Sequence, residues 1–261
     1  MTRPSRALIV LLLTLGLVVL FLPAAALAGP PKPPAGACIP PDACQGNTGG
    51  LQPGACVGFR ACVGNSGNIN TNACQSAADV AAAGVCEANT GNVGVGACQG
   101  KLACFANAGQ VSKGACVGPS ACEQNTGAVG EGACVDELGG VCFQNSGRIS
   151  KDACQGGGAC INNEGNVGEN SCVGASACAA NQGAIAKNSC HGAGACATIQ
   201  GNVSAGSCNG DQACEVAGSD GPIGTNACNG ERACFNNPGP IAAGTCNGDP
   251  DPVTGRGVCE Q

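Results

Sequence analysis

The chain has no Trp, no Tyr, one His and five Phe in 261 residues. Large side chains carry most of the apolar area a conventional core buries, so an ordinary globular interior is excluded by what is missing. The single histidine, His191, leaves little for Ser-His-Asp or Cys-His chemistry, which needs an imidazole held beside a nucleophile. Charge is sparse as well: charged residues make up 11% of the chain, with a net charge of −6. Dispersed Lys and Arg on an acidic chain give no basic footprint for nucleic acid. Past residue 22 there is no apolar run long enough to span a membrane.

What is abundant is cysteine, 24 residues, and glycine, 45 residues. The N-terminal segment holds Arg3 and Arg6, an apolar run over 7–22, Pro23, and Ala26-Leu27-Ala28. A charged start, a short apolar stretch and an Ala-x-Ala end describe a secretory signal peptide over 1–28. The expectation is a secreted or cell-surface chain starting at Gly29, with no membrane segment after cleavage. All cysteines lie beyond that segment, and at this density a secreted chain reads as a disulfide scaffold. Residues 29–37 read as a stiff, Pro-rich lead-in, and 38–261 as one repeat domain.

The cysteines fall in consecutive pairs: Cys38 and Cys44, Cys56 and Cys62, Cys74 and Cys86, Cys98 and Cys104, Cys116 and Cys122, Cys134 and Cys142, Cys154 and Cys160, Cys172 and Cys178, Cys190 and Cys196, Cys208 and Cys214, Cys228 and Cys234, Cys246 and Cys259. The common step is 6 within a pair and 12 between pairs, giving a period of 18. Residues 98–115, CQGKLACFANAGQVSKGA, show a typical unit. Such self-similarity means an array in which each unit buries its inner face against its neighbours.

The frequent glycines exclude helices from the repeat unit, which leaves the enlarged Cys74–Cys86 loop, QSAADVAAAGV, as the one stretch expected to form a short helix. One glycine file runs through Gly49, Gly67, Gly91, Gly109, Gly127, Gly147, Gly165, Gly183, Gly201, Gly221 and Gly239. A second file, two residues before each following pair, holds only Gly, Asn or Asp: Gly54, Asn72, Gly96, Gly114, Gly132, Asp152, Asn170, Asn188, Gly206, Asn226 and Gly244. Tolerance of positive φ is common to these types, so both files are expected to be left-handed corners. Between them lies one aliphatic per unit, from Leu51 and Ile69 to Ile223 and Ile241. Short strands between fixed corners, each with one inward residue, predict an all-β, narrow β-solenoid of about twelve coils. At ~4.8 Å per coil it would extend about 55–60 Å. An Asn file (Asn47, Asn65, Asn89, Asn107, Asn125, Asn145, Asn163, Asn181, Asn237) is expected to stack, each amide bonding its equivalent and the turn backbone. In period, three sides of six residues, the unit is similar to hexapeptide left-handed β-helices.

Paired cysteines serve as disulfides or as metal ligands. Zinc sites use closer Cys spacing than six residues, and one histidine adds little, so disulfides are expected. Insertions fall mostly within pairs, at Cys74–Cys86, Cys134–Cys142 and Cys246–Cys259. A bridge within each pair permits this, because extra residues bulge from a closed loop. Joining the second cysteine of one pair to the first of the next stays open on sequence alone. Closing a loop of this size removes denatured-state entropy worth about 2 kcal/mol. The arrangement resembles the disulfide-laddered antifreeze proteins of beetles in its six-residue cysteine step. That family's Thr-x-Thr ice face has no counterpart here beyond a broken hydroxyl file of Thr48, Ser66, Thr90, Thr126 and Ser146.

His191 follows Cys190 at a position filled elsewhere by Val, Gln, Asn or Ile and is expected to be a variable surface residue. Asp136-Glu137 sit in an enlarged loop, and Glu87, Glu123 and Glu215 share a position with Phe105, Phe143 and Ile161. That pattern describes a tolerant face rather than paired catalytic acids. Asp249 and Asp251 lack a calcium-loop signature. Phe59, Phe105, Phe143 and Phe235 are expected to cover the bridges in part, the alternative being exposed rings that contact a partner. The resulting expectation is a secreted structural or adhesive repeat protein with no catalytic site, cofactor or metal, its partners cell-envelope or matrix components. The alternative is a ligand binder using a periodic face, for ice, glycan or metal.

Overall fold

A computed structural model describes residues 32–76, 84–215, 221–255 and 257–259. The signal segment and the short helix expected within the Cys74–Cys86 loop lie outside the described residues. Among those described, regular structure amounts to strands β1 (Cys38–Ile39) and β2 (Cys56–Val57) and one 3-10 turn, Pro41–Cys44. No helix there is long and apolar enough to cross a membrane. The fold is instead repetitive and cysteine-stapled.

The twelve disulfides join the cysteines as consecutive pairs, with Cα–Cα separations of 5.5–5.9 Å. The separation is unaffected by insertion: it is 5.7 Å at Cys74–Cys86 and 5.5 Å at Cys246–Cys259. In the enlarged Cys134–Cys142 loop the extra residues bulge outward, leaving Leu138 exposed.

Successive units lie in parallel register. Strand β1 pairs with β2, Cys38 opposite Cys56. Beyond them, single-residue parallel bridges link each aliphatic to its equivalent, from Leu51–Ile69 through Val111–Val129 to Ile223–Ile241. The backbone alternates its direction of bonding, as a parallel ladder does. Val111 N–H donates back to Asn92 at 2.9 Å, and Ser112 N–H donates forward to Val129 at 2.9 Å.

Strands stay short because each unit turns through several left-handed residues. The second corner file has positive φ throughout, from Gly54 (68°) through Asn72 (55°) and Asp152 (53°) to Gly244 (71°). Ten of the first cysteines, Cys74 through Cys246, are also left-handed, with φ between 51° and 61°. So are residues two before and two after many second cysteines, such as Leu102 and Ala106. A non-glycine residue in this region costs on the order of 1 kcal/mol, and here the disulfide and the inter-unit bonds hold it there.

The first glycine file corrects the sequence expectation, because none of its described members is left-handed. Glycine is required there by close approach. A Cβ on Gly49, Gly67, Gly91, Gly109, Gly127, Gly147, Gly165 or Gly183 would lie 1.9–2.0 Å from the carbonyl oxygen of the next glycine in the file.

The interior is thin. It consists of the aliphatic file, the disulfides from Cys56–Cys62 to Cys228–Cys234, and small residues preceding most cysteines, such as Ala97 and Ala103, all buried. The Pro-rich lead-in turns at Pro34–Ala37, where Ala37 N–H reaches Pro34 O at 3.0 Å, and Gly36 and Ala37 already accept bonds from the second unit. At the other end the bridges stop at Ile241, but Cys259 N–H still donates to Ala233 at 2.7 Å. The second cysteines of earlier units use the same bond, as in Cys234 N–H to Ala213 at 2.7 Å.

Candidate functional site

The most regular chemistry in the chain is a buried column of asparagines. Each Nδ2 donates both to the Oδ1 of the preceding Asn and to the carbonyl of the glycine two residues on. Asn125, for example, donates to Asn107 Oδ1 at 2.8 Å and to Gly127 O at 2.7 Å. The chain of amides runs from Asn47 to Asn181 without a gap. It stops because the next position is Ile199, also buried, which leaves Asn181 Oδ1 buried with no hydrogen-bond partner. Asn237 does not resume the column; its Nδ2 donates to Cys259 O at 3.1 Å.

The position after each first cysteine is used in a similar way. Gln75, Gln99 and Gln155 donate their side-chain amides to the carbonyls of Gly54, Asn72 and Gly132 at 2.8–3.1 Å. Those carbonyls belong to the left-handed corner of the preceding unit. His191 occupies the same file, and its Nε2–H reaches the equivalent carbonyl of Asn170 at 2.7 Å. The lone histidine is thus a tie between units. Farther along, Asn209, Asn229 and Asn247 accept the preceding unit's backbone N–H at 2.9–3.2 Å.

A second polar column was missed in the sequence. Ser171, Ser189 and Ser207 replace the Ala before the first cysteine in three successive units, and all are buried. Each hydroxyl donates forward to a carbonyl, Ser189 Oγ to Ser204 O at 2.9 Å, and accepts an N–H from the following unit, Ser189 N–H to Ser171 Oγ at 3.2 Å. The signal was the consecutive Ala-to-Ser change at one position.

The outer faces carry the variable residues. Over 65–70 burial alternates strictly, with Asn65, Gly67 and Ile69 inward and Ser66, Asn68 and Asn70 outward. The hydroxyl file of Thr48, Ser66, Thr90, Thr126 and Ser146 is exposed on this face, interrupted by Ala108 and followed by Glu164 and Gln182. Another exposed file alternates in sign through Lys113, Glu131, Lys151, Glu169 and Lys187. Opposite charges stacked on adjacent parallel units are favourable where like charges would repel. A shallow groove of about 520 Å³ runs over Val57, Gln75, Gln99 and Val117, walled by Pro119 and Glu137 of the bulge.

The acids singled out from sequence are dispersed. Glu87 pairs with Arg60 and accepts the Gly84 N–H at 3.2 Å. Asp136 Oδ2 accepts the Leu138 N–H at 3.1 Å, and Asp251 Oδ1 accepts from Val253 and Thr254, each at 2.8 Å. Those backbone bonds hold the Asp251 carboxyl below the ordinary aspartate value of 3.8. The Phe235 ring carries the Arg232 guanidinium 4.3 Å above it, Phe105 and Phe143 are half-buried, and Phe59 is exposed.

Among the described residues, three clusters bring three potential metal-ligand atoms within 4.8 Å of one another: Cys74, Cys86 and Cys98; Cys134, Cys142 and Cys154; and Cys154, Cys160 and Cys172. Every sulfur in them is bound in a disulfide. The thiolate form that metals require is absent while those bonds are intact.

Residues 139–204 and 177–258 are similar to a domain family of unknown function, DUF7640. The two matches overlap, as a model several units long does on an array of like units, and together they cover less than half of the chain. No curated protein and no solved structure matches it.

Proposed function

We propose that the chain is a secreted β-solenoid, a disulfide-stapled rod without a catalytic site, whose outer faces make contacts in a cell envelope or extracellular matrix. The observation that carries this reading is where the polar chemistry goes. The asparagine column, the glutamine ties, His191 and the buried serines all bond to neighbouring units. Parallel bridges between equivalent residues, unit after unit, support a solenoid. Twelve disulfides suit an oxidising environment outside the cytosol. A periodic ligand such as ice would need the same group on the same face in every unit, and the hydroxyl file breaks at Ala108.

The test is intact mass of the secreted protein, alkylated without reduction in denaturant. A chain beginning at Gly29, free of alkyl adducts and 24 hydrogens lighter than its reduced form, is expected in the medium or envelope fraction. A chain retained inside the cell with alkylated thiols would refute secretion. Removal of one unit, residues 116–133, tests the solenoid: the shortened chain should fold with eleven disulfides, and failure to oxidise would count against independent stacked units.

A further inference from the structure

Twelve disulfides could act as twelve separate staples, but at three places in this chain a sulfur of one unit lies close to the disulfide of the unit before it. Cys98 Sγ lies within 4.8 Å of both sulfurs of the Cys74–Cys86 bond. Cys154 Sγ stands in the same relation to Cys134–Cys142, and Cys172 Sγ to Cys154–Cys160. At that separation no heavy atom fits between them. All these sulfurs are buried, and the units that carry them are held in register on both sides by backbone bonds. Thiol–disulfide exchange needs no added oxidant or reductant, because the attacking thiolate replaces the one that leaves. Fixed proximity supplies the encounter that a free thiol in solution must find by diffusion.

We propose that this sulfur column is competent for exchange, so that an unpaired thiol in one unit moves along it. With Cys134 removed, the Cys142 thiolate attacks Cys154 Sγ. The Cys142–Cys154 bond forms, Cys154–Cys160 breaks, and the electron pair leaves on Cys160. The Cys160 thiolate then attacks Cys172 Sγ, forming Cys160–Cys172 and releasing Cys178 as thiolate. One thiolate enters and one leaves, with no net oxidation or reduction. Each step turns a bond within a unit into a bond between units, so the gap is healed by a cross-unit link and the thiol is displaced. The thiolate is the attacking species, so exchange quickens as pH rises.

The test uses the full secreted chain carrying Cys134→Ser. It is incubated at pH 8 without reductant, acid-quenched, alkylated in acidic denaturant and mapped by peptide mass. The expected result is a Cys142–Cys154 linked peptide, with most of the alkyl group at Cys160 or Cys178. Alkylation confined to Cys142, with the other eleven pairs native, overturns the proposal. Label scattered to remote cysteines such as Cys38 and Cys228 overturns it too, since that is random exchange in an unfolded chain. Should Cys134→Ser fail to be secreted, Cys74→Ser poses the same question. A Cys86–Cys98 link with label at Cys104 supports exchange, and label held at Cys86 refutes it.

Discussion

Replacing Asn125 by Ala tests what holds the units together. The side chain is fully buried and makes three hydrogen bonds, two as donor and one as acceptor from Asn145 Nδ2 at 2.8 Å. Truncation leaves Asn107 Oδ1, the Gly127 carbonyl and one Asn145 N–H buried without their partner. At about 1–2 kcal/mol for each stranded group, the loss is about 3–6 kcal/mol. Two comparisons give this figure meaning. Thr126→Ala, one residue on but exposed, should cost no more than about 0.5 kcal/mol. Asn181→Ala strands only two groups, because its own Oδ1 already lacks a partner, so it should cost about 1–2 kcal/mol less than Asn125→Ala. With no Trp or Tyr to report by fluorescence, the assay is thermal unfolding by far-UV circular dichroism or calorimetry, disulfides intact. Equal midpoints for Asn125→Ala and Thr126→Ala would refute the idea that the amide column stabilises the stack.

The two reasons for glycine separate by substitution. Gly127→Ala places a Cβ 2.0 Å from Gly147 O and should cost about 3 kcal/mol or more. Gly114→Ala meets no atom within 4 Å and should cost only about 1 kcal/mol of left-handed strain, with Gly114→Asn nearer neutral; similar melting points for the two Ala variants would contradict this. Reduction should begin at the termini, because Cys38–Cys44 and Cys246–Cys259 are only partly buried while the other disulfides are enclosed. Timed alkylation under mild reductant should label those four cysteines first, and early label at Cys116 or Cys122 would refute the order. Asp251, with its carboxyl held low by the Val253 and Thr254 amides, favours the closing turn above its unfolded value of 3.8, and that contribution is lost as pH falls through the lower folded value. An NMR titration of the Asp251 carboxyl should therefore show a midpoint below 3.8; one at or above it would remove the turn's role.

Much of this was legible because a stacked array asks the same question of the same position a dozen times. One Asn before a glycine says little, but Asn47 through Asn181 at a constant place in the unit announced the amide column, and Leu51 to Ile241 announced the inward file. What stayed hidden has physical causes. A glycine looks the same in sequence whether it serves positive φ, as at Gly54, or close approach, as at Gly49. The left-handed cysteines were invisible because the sulfur dictates the residue type and masks the backbone demand; Cys116 at φ 59° cannot be replaced by the glycine that would have advertised it. His191 looked dispensable because Val, Gln and Asn share its file, yet its reach to Asn170 O copies what Gln99 does with Asn72 O, each through an N–H donor that residue type alone does not advertise. The cysteine pairing was left open for a related reason. Cys154 Sγ lies within 4.8 Å of both Cys134 Sγ and Cys142 Sγ, so a cysteine of the next unit is a near neighbour beside the bonded partner. Spacing alone therefore could not choose between them. The same proximity that made connectivity unreadable is what would let a thiolate pass from one unit to the next.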